Sequence, residues 1–402
     1  MGEQKPLKIL MMGGRRCGKT TALASLFEEM GSSKVNKYFT VADDTVLEIK
    51  NGEVQDSLIG KTLELKDFLG KASTKTFLAD EKPTFHFWDY YLKMQIPGTK
   101  KNVLMEFRDA PGEVFEAGGV HSYETKEYIA ECDVFVIVVD TPYLMGTEDE
   151  NCKELCTEAI NLGTNRINDI HGFLTNIDDK EGTDAKMVLF VPIKCEKWAN
   201  EGRLDEVTAR LKEVYAKTIT SLSAYNRMTI GIVPIQTAGN ILFSEFKEAY
   251  TVVSGVTKKE QRCCYISDKT IRLKDGTPKM IKESDIINED AMAVIAGTNI
   301  VRPYSWYHIN PQDSSFAPKN CEQLPLHILK FMIGKYQEFE ASNKNKTFIE
   351  KLKDMFANIW KRLSEIFGEV KPSELNERLQ KMEADGVLKY KGEGIEFIKR
   401  CY

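Results

Sequence analysis

One stretch near the start of the chain limits what the rest can fold into. Gly13-Gly14-Arg15-Arg16-Cys17-Gly18-Lys19-Thr20 fits the pattern G-x-x-x-x-G-K-[ST]. It follows a strand-length apolar run, Leu7-Lys8-Ile9-Leu10-Met11-Met12, and precedes a helical stretch from about Lys19 to Met30 that ends near Gly31. Strand, glycine-rich turn and helix in that order make an anion cradle. The glycines let the backbone curl so that several N–H groups converge on phosphate oxygens, and the helix adds its positive N-terminal end. The phosphate-binding set is therefore Gly13, Gly14, Arg15, Arg16, Cys17, Gly18, Lys19, Thr20 and Thr21. Lys19 is placed for the β- and γ-phosphates, and the Thr20 hydroxyl for Mg²⁺.

Downstream, two β-like runs, Thr84–Ile96 and Asn102–Arg108, are joined by Pro97-Gly98-Thr99, a hairpin signal. The second run leads into Asp109-Ala110-Pro111-Gly112. A carboxylate at that strand end reaches the magnesium shell, and Gly112 leaves room for its N–H to approach a γ-phosphate. The runs Val134–Val139, Met187–Ile193 and Met228–Ile235 are continuously apolar, which suits strands buried on both faces of a parallel sheet. Helical segments at about 150–175 and 203–224 separate them. This alternation predicts a three-layer α/β fold with a mostly parallel sheet and a small C-terminal helical and hairpin appendage.

With those motifs in place, residues 7–240 resemble the translation-factor and Ras-related class of P-loop GTPases (TRAFAC). Their phosphate loop, D-x-x-G, N-K-x-D and S-A-K motifs come in this order. The length and the Asp109-Ala110-Pro111-Gly112-Glu113 wording are also similar to bacterial double-GTPase-type proteins of predicted defence systems. The resemblance implies a slow, Mg²⁺-dependent GTPase switch that binds GTP and GDP and acts through a protein effector or regulator. Where the family has N-K-x-D this chain reads Ile193-Lys194-Cys195-Glu196. Lys194 lies along the purine, Glu196 accepts from the guanine edge in place of Asp, and the tie made by the Asn is lost. Gln236-Thr237-Ala238-Gly239 takes the S-A-K position, which implies Thr237 and Ala238 as base contacts. Glu113 stands where Ras-like proteins have the Gln that orients water, so Lys19, Gly112 and Glu113 form the catalytic set. Thr84 is the first-switch candidate to cap magnesium beside Thr20 and Asp109, with Thr76 and Thr74 as rivals. Arg15 and Arg16 either fold over the phosphates or face solvent. Loss of guanine preference, giving a P-loop ATPase, and a nucleotide-holding scaffold without turnover are the alternatives.

The remaining features bound partners and layout. Lys+Arg (55) against Asp+Glu (60) gives a net charge of −5, so no global field favours nucleic acid or an anionic membrane. Nine cysteines without a C-x-x-C, and no signal peptide or long apolar span, place the protein in the cytoplasm as an expectation. The organisation expected is a GTPase domain over 1–340, with a long first-switch insertion at about 32–83 and an irregular insertion at about 255–300, followed by an appendage at 341–402. In that appendage a basic amphipathic helix, 347–367, docks on the domain or a partner rather than lying on a membrane.

Overall fold

The computed structural model describes residues 4–14, 17–50, 53–72, 78–79, 86–115, 128–129, 131–147, 156–175, 184–249, 263–266, 270–272, 278–280, 302–309, 315–343 and 353–402. Eight strands make the main sheet: β1 (Leu7–Met12), β2 (Thr40–Asp43), β3 (Trp88–Gln95), β4 (Asn102–Asp109), β5 (Val134–Asp140), β6 (Lys186–Ile193), β7 (Met228–Ile232) and β8 (Glu396–Lys399). Their order across the sheet is β8-β7-β6-β5-β1-β4-β3-β2. The five central strands, β7 to β4, run parallel; β3 pairs antiparallel with β4, β2 antiparallel with β3, and β8 antiparallel with β7.

The side-chain pattern explains the layers. Leu7, Ile9 and Met11 of β1 enter one core, and Leu10 and Met12 enter the other. The first core is closed by the helices Lys19–Met30, Gln323–Asn343, Lys353–Phe367 and Pro372–Ala384 through Leu23, Leu329, Leu363 and Leu379. The second is closed by Ile167–Thr175, Glu196–Asn200, Leu204–Val214 and Ala216–Ser223 through Ile170, Trp198, Leu211 and Leu222. Strands β5 and β6 are buried at every position, as their unbroken apolar runs require. The expected three-layer α/β architecture with a mostly parallel sheet is the one observed.

Several boundaries differ from the sequence reading. The helix expected over 150–175 is divided into Glu158–Thr164 and Ile167–Thr175, because Arg166 takes a left-handed φ of 51° between them. The stretch 32–83 is expected to be irregular apart from one amphipathic piece, Leu58–Leu69, and that piece is the helix Leu58–Ala72; its described residues also supply β2 and a short ladder between Ile49–Lys50 and Glu53–Val54. That helix rests on Lys19–Met30, with the Thr62 hydroxyl donating to the Ala24 carbonyl at 3.2 Å and Lys66 pairing with Glu28 at 2.8 Å. Ile241–Ala249, which has no clear sequence signal, pairs antiparallel with Arg302–Ile309 in a second, four-stranded sheet that also holds Cys263–Ile266 and Leu78–Ala79.

The hairpin expected in the C-terminal appendage, which the sequence places over Val387–Ile398 around the turn residues Gly392-Glu393-Gly394, does not close on itself as two strands. Its second arm, β8, pairs with β7, where Gly231 leaves room: a Cβ there would stand 2.8 Å from the Phe397 ring. The basic amphipathic helix docks on its own chain. Arg362 pairs with Asp133 and, at 3.1 Å, with Asp184. No helix among the described residues is long and apolar enough to cross a membrane.

Candidate nucleotide-binding site

The C-terminal ends of the parallel strands gather the sequence-marked residues, the usual place for a ligand in an open α/β sheet. Gly18 has φ 107° and caps the helix Lys19–Met30, whose first full turn is closed by Ala22 N–H donating to the Gly18 carbonyl at 2.9 Å. Thr20 and Thr21 lie in that turn. The Lys19 ammonium is buried and turned back over the loop, donating to the Gly14 carbonyl at 3.1 Å and less closely to Gly13 at 3.4 Å. Cys17 is a packing residue, fully buried with its thiol pushed up by that burial. Arg15 and Arg16 lie outside the described residues, as do Thr74, Thr76 and Thr84.

Asp109 ends β4 beside β1, because the two strands run parallel in register from Leu7↔Met105 to Met11↔Asp109. Its carboxylate is fully buried, and Oδ2 accepts from the Thr20 hydroxyl at 2.5 Å. Burial raises the Asp109 carboxyl, while Lys19 and the Thr20 hydroxyl pull it back. Its Oδ1 is buried with no hydrogen-bond partner among the described residues. An orphaned carboxylate oxygen next to a hydroxyl is a hard-oxygen donor set that fits magnesium. Among the described residues no group of three or more His, Cys, Asp or Glu is gathered for a metal. Gly112 opens the 3-10 turn Gly112–Phe115, which includes the backbone of Glu113.

The base-reading candidates meet on the other side of the loop. Lys194 takes a left-handed φ of 58°, and its ammonium pairs with the buried Asp140 at 2.6 Å. The position of the missing Asn is filled by an apolar contact: a Cβ on Gly18 would stand 2.9 Å from Ile193 Cδ1 and 3.7 Å from Lys194 Cε. Glu196 is buried, and burial raises its carboxyl while the Ala238 amide pulls it back. Its Oε1 accepts from the Ala238 N–H at 2.7 Å, from the Gly239 N–H at 3.3 Å and from the Thr237 hydroxyl at 3.3 Å. Two of the residues assigned to the base edge, Glu196 and Ala238, are therefore bonded to each other.

Sequence reasoning missed the group behind the loop. Asn165 clasps the Asp140 backbone, its Oδ1 accepting from Asp140 N–H at 2.7 Å and its Nδ2 donating to the Asp140 carbonyl at 3.3 Å. Asn161 supports it at 2.9 Å. A Cβ on Gly14 would meet the Thr164 carbonyl oxygen at 1.9 Å, so the phosphate loop leans directly on this turn. The one available signal was Asp140, a charge ending an apolar strand.

No protein-family model matches the chain, and no curated protein matches it in sequence. Solved structures do. The GTPase-like domain of S. cerevisiae Ski7, bound to GDP and inorganic phosphate, aligns with 58% of this chain and 44% of its own at 12% identity and a TM-score of 0.29. The same Ski7 domain bound to GTP aligns with a TM-score of 0.29 and 13% identity, over 58% of this chain and 43% of that one. The LeoA bacterial dynamin GTPase from ETEC aligns at 15% identity and a TM-score of 0.27, over 58% of this chain and 30% of that one. The chain spans less than half the length of each. These neighbours are GTPase-like, but at such scores the functional reading has to stand on the residues above.

Proposed function

We propose that this chain is a Mg²⁺-dependent GTP-binding switch that hydrolyses GTP slowly and acts through a protein effector or regulator. The observation that carries this reading is the convergence of Lys19 with the Thr20–Asp109 pair, joined at 2.5 Å, at the mouth of a glycine-shaped loop. In this mechanism the loop amides and the helix N-terminus hold the phosphates. Lys19 exchanges its two carbonyl partners for phosphate oxygens. Thr20 and Asp109 would hold the magnesium, which would supply charge neutralisation to the phosphates. The Gly112 N–H senses the γ-phosphate, and Glu113 accepts a hydrogen bond from the attacking water. A carboxylate cannot donate to the transferring group as an amide can, so turnover is expected at ~10⁻⁴ to 10⁻² s⁻¹.

Support for a protein partner comes from the first-switch segment. Val46, Leu47, Ile49, Ile59 and Leu63 expose large apolar side chains there. The Asp43 side chain accepts from the Ile59 N–H at 3.0 Å, which brings the two parts of the segment together. Clustered apolar exposure is a mark of protein contact.

Competition binding with fluorescent GTP and ATP analogues tests the reading. The expected result is Mg²⁺-dependent binding that Lys19→Ala weakens by about a hundredfold or more. Normal binding by Lys19→Ala overturns it. A second reading, a P-loop ATPase or unspecific nucleoside triphosphatase that has lost guanine preference, is favoured by the Glu196–Ala238 bond, and equal or reversed affinity for GTP and ATP would select it.

A further inference from the structure

The carboxylate of Glu196 holds the very amide that a guanine oxygen would use. Its Oε1 lies 2.7 Å from the Ala238 nitrogen, with the Gly239 nitrogen and Thr237 hydroxyl each at 3.3 Å. The donors are fixed from behind. Ser25 donates to the Thr237 carbonyl at 2.5 Å, and Ala317 N–H donates to the Ala238 carbonyl at 3.1 Å. Gln236 and Lys319 exchange backbone bonds at 2.9 and 3.0 Å. Gly239, with φ 78°, is pressed so closely that a Cβ would stand 1.8 Å from the Ala317 carbonyl oxygen. The loop cannot turn its amides away, so the movable partner is the Glu196 side chain, on the first residue of the short helix Glu196–Asn200.

We propose that Glu196 is an internal competitor for the base-reading amide, whose carboxylate must leave Ala238 before a purine carbonyl oxygen can take that donor. This rests on the nucleotide-site reading above. The chemistry is one of matching donors to acceptors. Guanine presents an oxygen at C6, and a carboxylate oxygen already in front of the amide repels it. Adenine presents an amino donor at C6 and needs no such exchange. The extra methylene of Glu over Asp is what lets the carboxylate reach Ala238. An Asp on the same backbone stands back, leaving the amide for the C6 oxygen and its own oxygens for N1–H and the 2-amino group. Glu196 therefore sets a threshold against guanine nucleotides.

The test uses the full chain with Mg²⁺ and competition by GDP, IDP and ADP. Glu196→Asp is expected to raise GDP affinity about tenfold, roughly one charge-assisted hydrogen bond, with little change for ADP. It is also expected to widen the preference for GDP over IDP, which lacks the 2-amino group. In the protein without nucleotide, amide exchange at Ala238 should quicken. Glu196→Gln keeps the length but has a single acceptor oxygen, so it should quicken Ala238 exchange in smaller measure while losing a contact to the guanine edge; it stands in through that exchange rate if the Asp variant does not fold, and slow exchange there overturns the proposal. Unchanged or weaker GDP binding in a folded Glu196→Asp protein whose Ala238 amide exchanges faster overturns the proposal. So does slow Ala238 exchange retained in Glu196→Asp. Lys19→Ala separates the two levels: if it binds nucleotide normally, the site reading fails and takes this inference with it. If binding needs Lys19 and Glu196→Asp gains nothing, only the Glu196 inference fails.

Discussion

Gly14 stands where no other residue fits. Its α-carbon faces the Thr164 carbonyl at a separation that puts any Cβ at 1.9 Å from the oxygen, and that carbonyl belongs to a turn pinned by Asn165. Gly14→Ala is therefore expected to cost about 1–3 kcal/mol by forcing the loop and the turn apart. A urea titration checks this, and wild-type stability would show that the turn yields freely. The glycine pattern was readable because it follows a local rule: strand, curl, helix. Lys19, Thr20 and Asp109 were readable for the same reason, since each sits at the end of an element whose period is visible. Asn165 and the Glu196–Ala238 bond were not, because their partners lie 25 and 42 residues away and are chosen by how the strands are ordered, not by anything local.

At the level of elements, the buried charges between the two layers of secondary structure decide how the C-terminal segment is held. Lys335, on the helix Gln323–Asn343, is fully buried and pairs with Asp133 at 2.6 Å and with Asp184 at 2.5 Å, at the starts of β5 and β6. Burial lowers its ammonium from the ordinary value and the two carboxylates oppose that, while Arg362 from the helix Lys353–Phe367 shares both acids. Lys335→Met leaves the two carboxylates, among the described residues, with Arg362 and Lys186 as cationic partners, and is expected to destabilise the protein by about 3–5 kcal/mol. Adding Asp133→Asn should restore part of that, and a double-mutant cycle measures the coupling. The central strands were legible as unbroken apolar runs. The edge strands were not: Thr40–Asp43 has no clean alternation, and β8 looked like one arm of a local hairpin although its partner β7 lies about 165 residues earlier. That pairing depends on the gap Gly231 leaves in the sheet edge, which has no signature of its own.

For the whole molecule, an acidic pair joins the first helix to the C-terminal third. Glu29 faces Glu322 and Lys34, and accepts from the Cys321 N–H at 2.7 Å. Burial, then the Glu322 charge, pushes the Glu29 carboxyl from 4.5 up to about 8. The native state thus binds a proton at Glu29 that the unfolded chain has released, through the window from about 4.5 to about 8. Stability at this junction is expected to fall as pH rises through that window, since ionising Glu29 places a charge in a buried site beside the Glu322 carboxyl, offset in part by Lys34. Glu29→Gln should flatten the curve and raise the melting temperature near pH 8 relative to wild type. Thermal melts from pH 5 to 8.5 check this, and parallel curves for the two proteins would remove Glu29 from the account.

The stem formed by Ile241–Ala249 and Arg302–Ile309 closes an excursion of which one piece, Cys263–Ile266, pairs back on Arg302–Ile309. The stem's two legs pair from Ile241↔Ile309 to Ala249↔Arg302, with one register shift between Phe243 and Glu245, so the chain leaves and returns at neighbouring points. Phe243, Phe246 and Tyr307 anchor the stem in the second core. A protein engineer would read this as a socket. The stretch between Ala249 and Cys263 is expected to accept lengthening or a fused reporter while the base-reading loop just upstream keeps its register, because the closure is made by the stem and by Cys263–Ile266 laid against it.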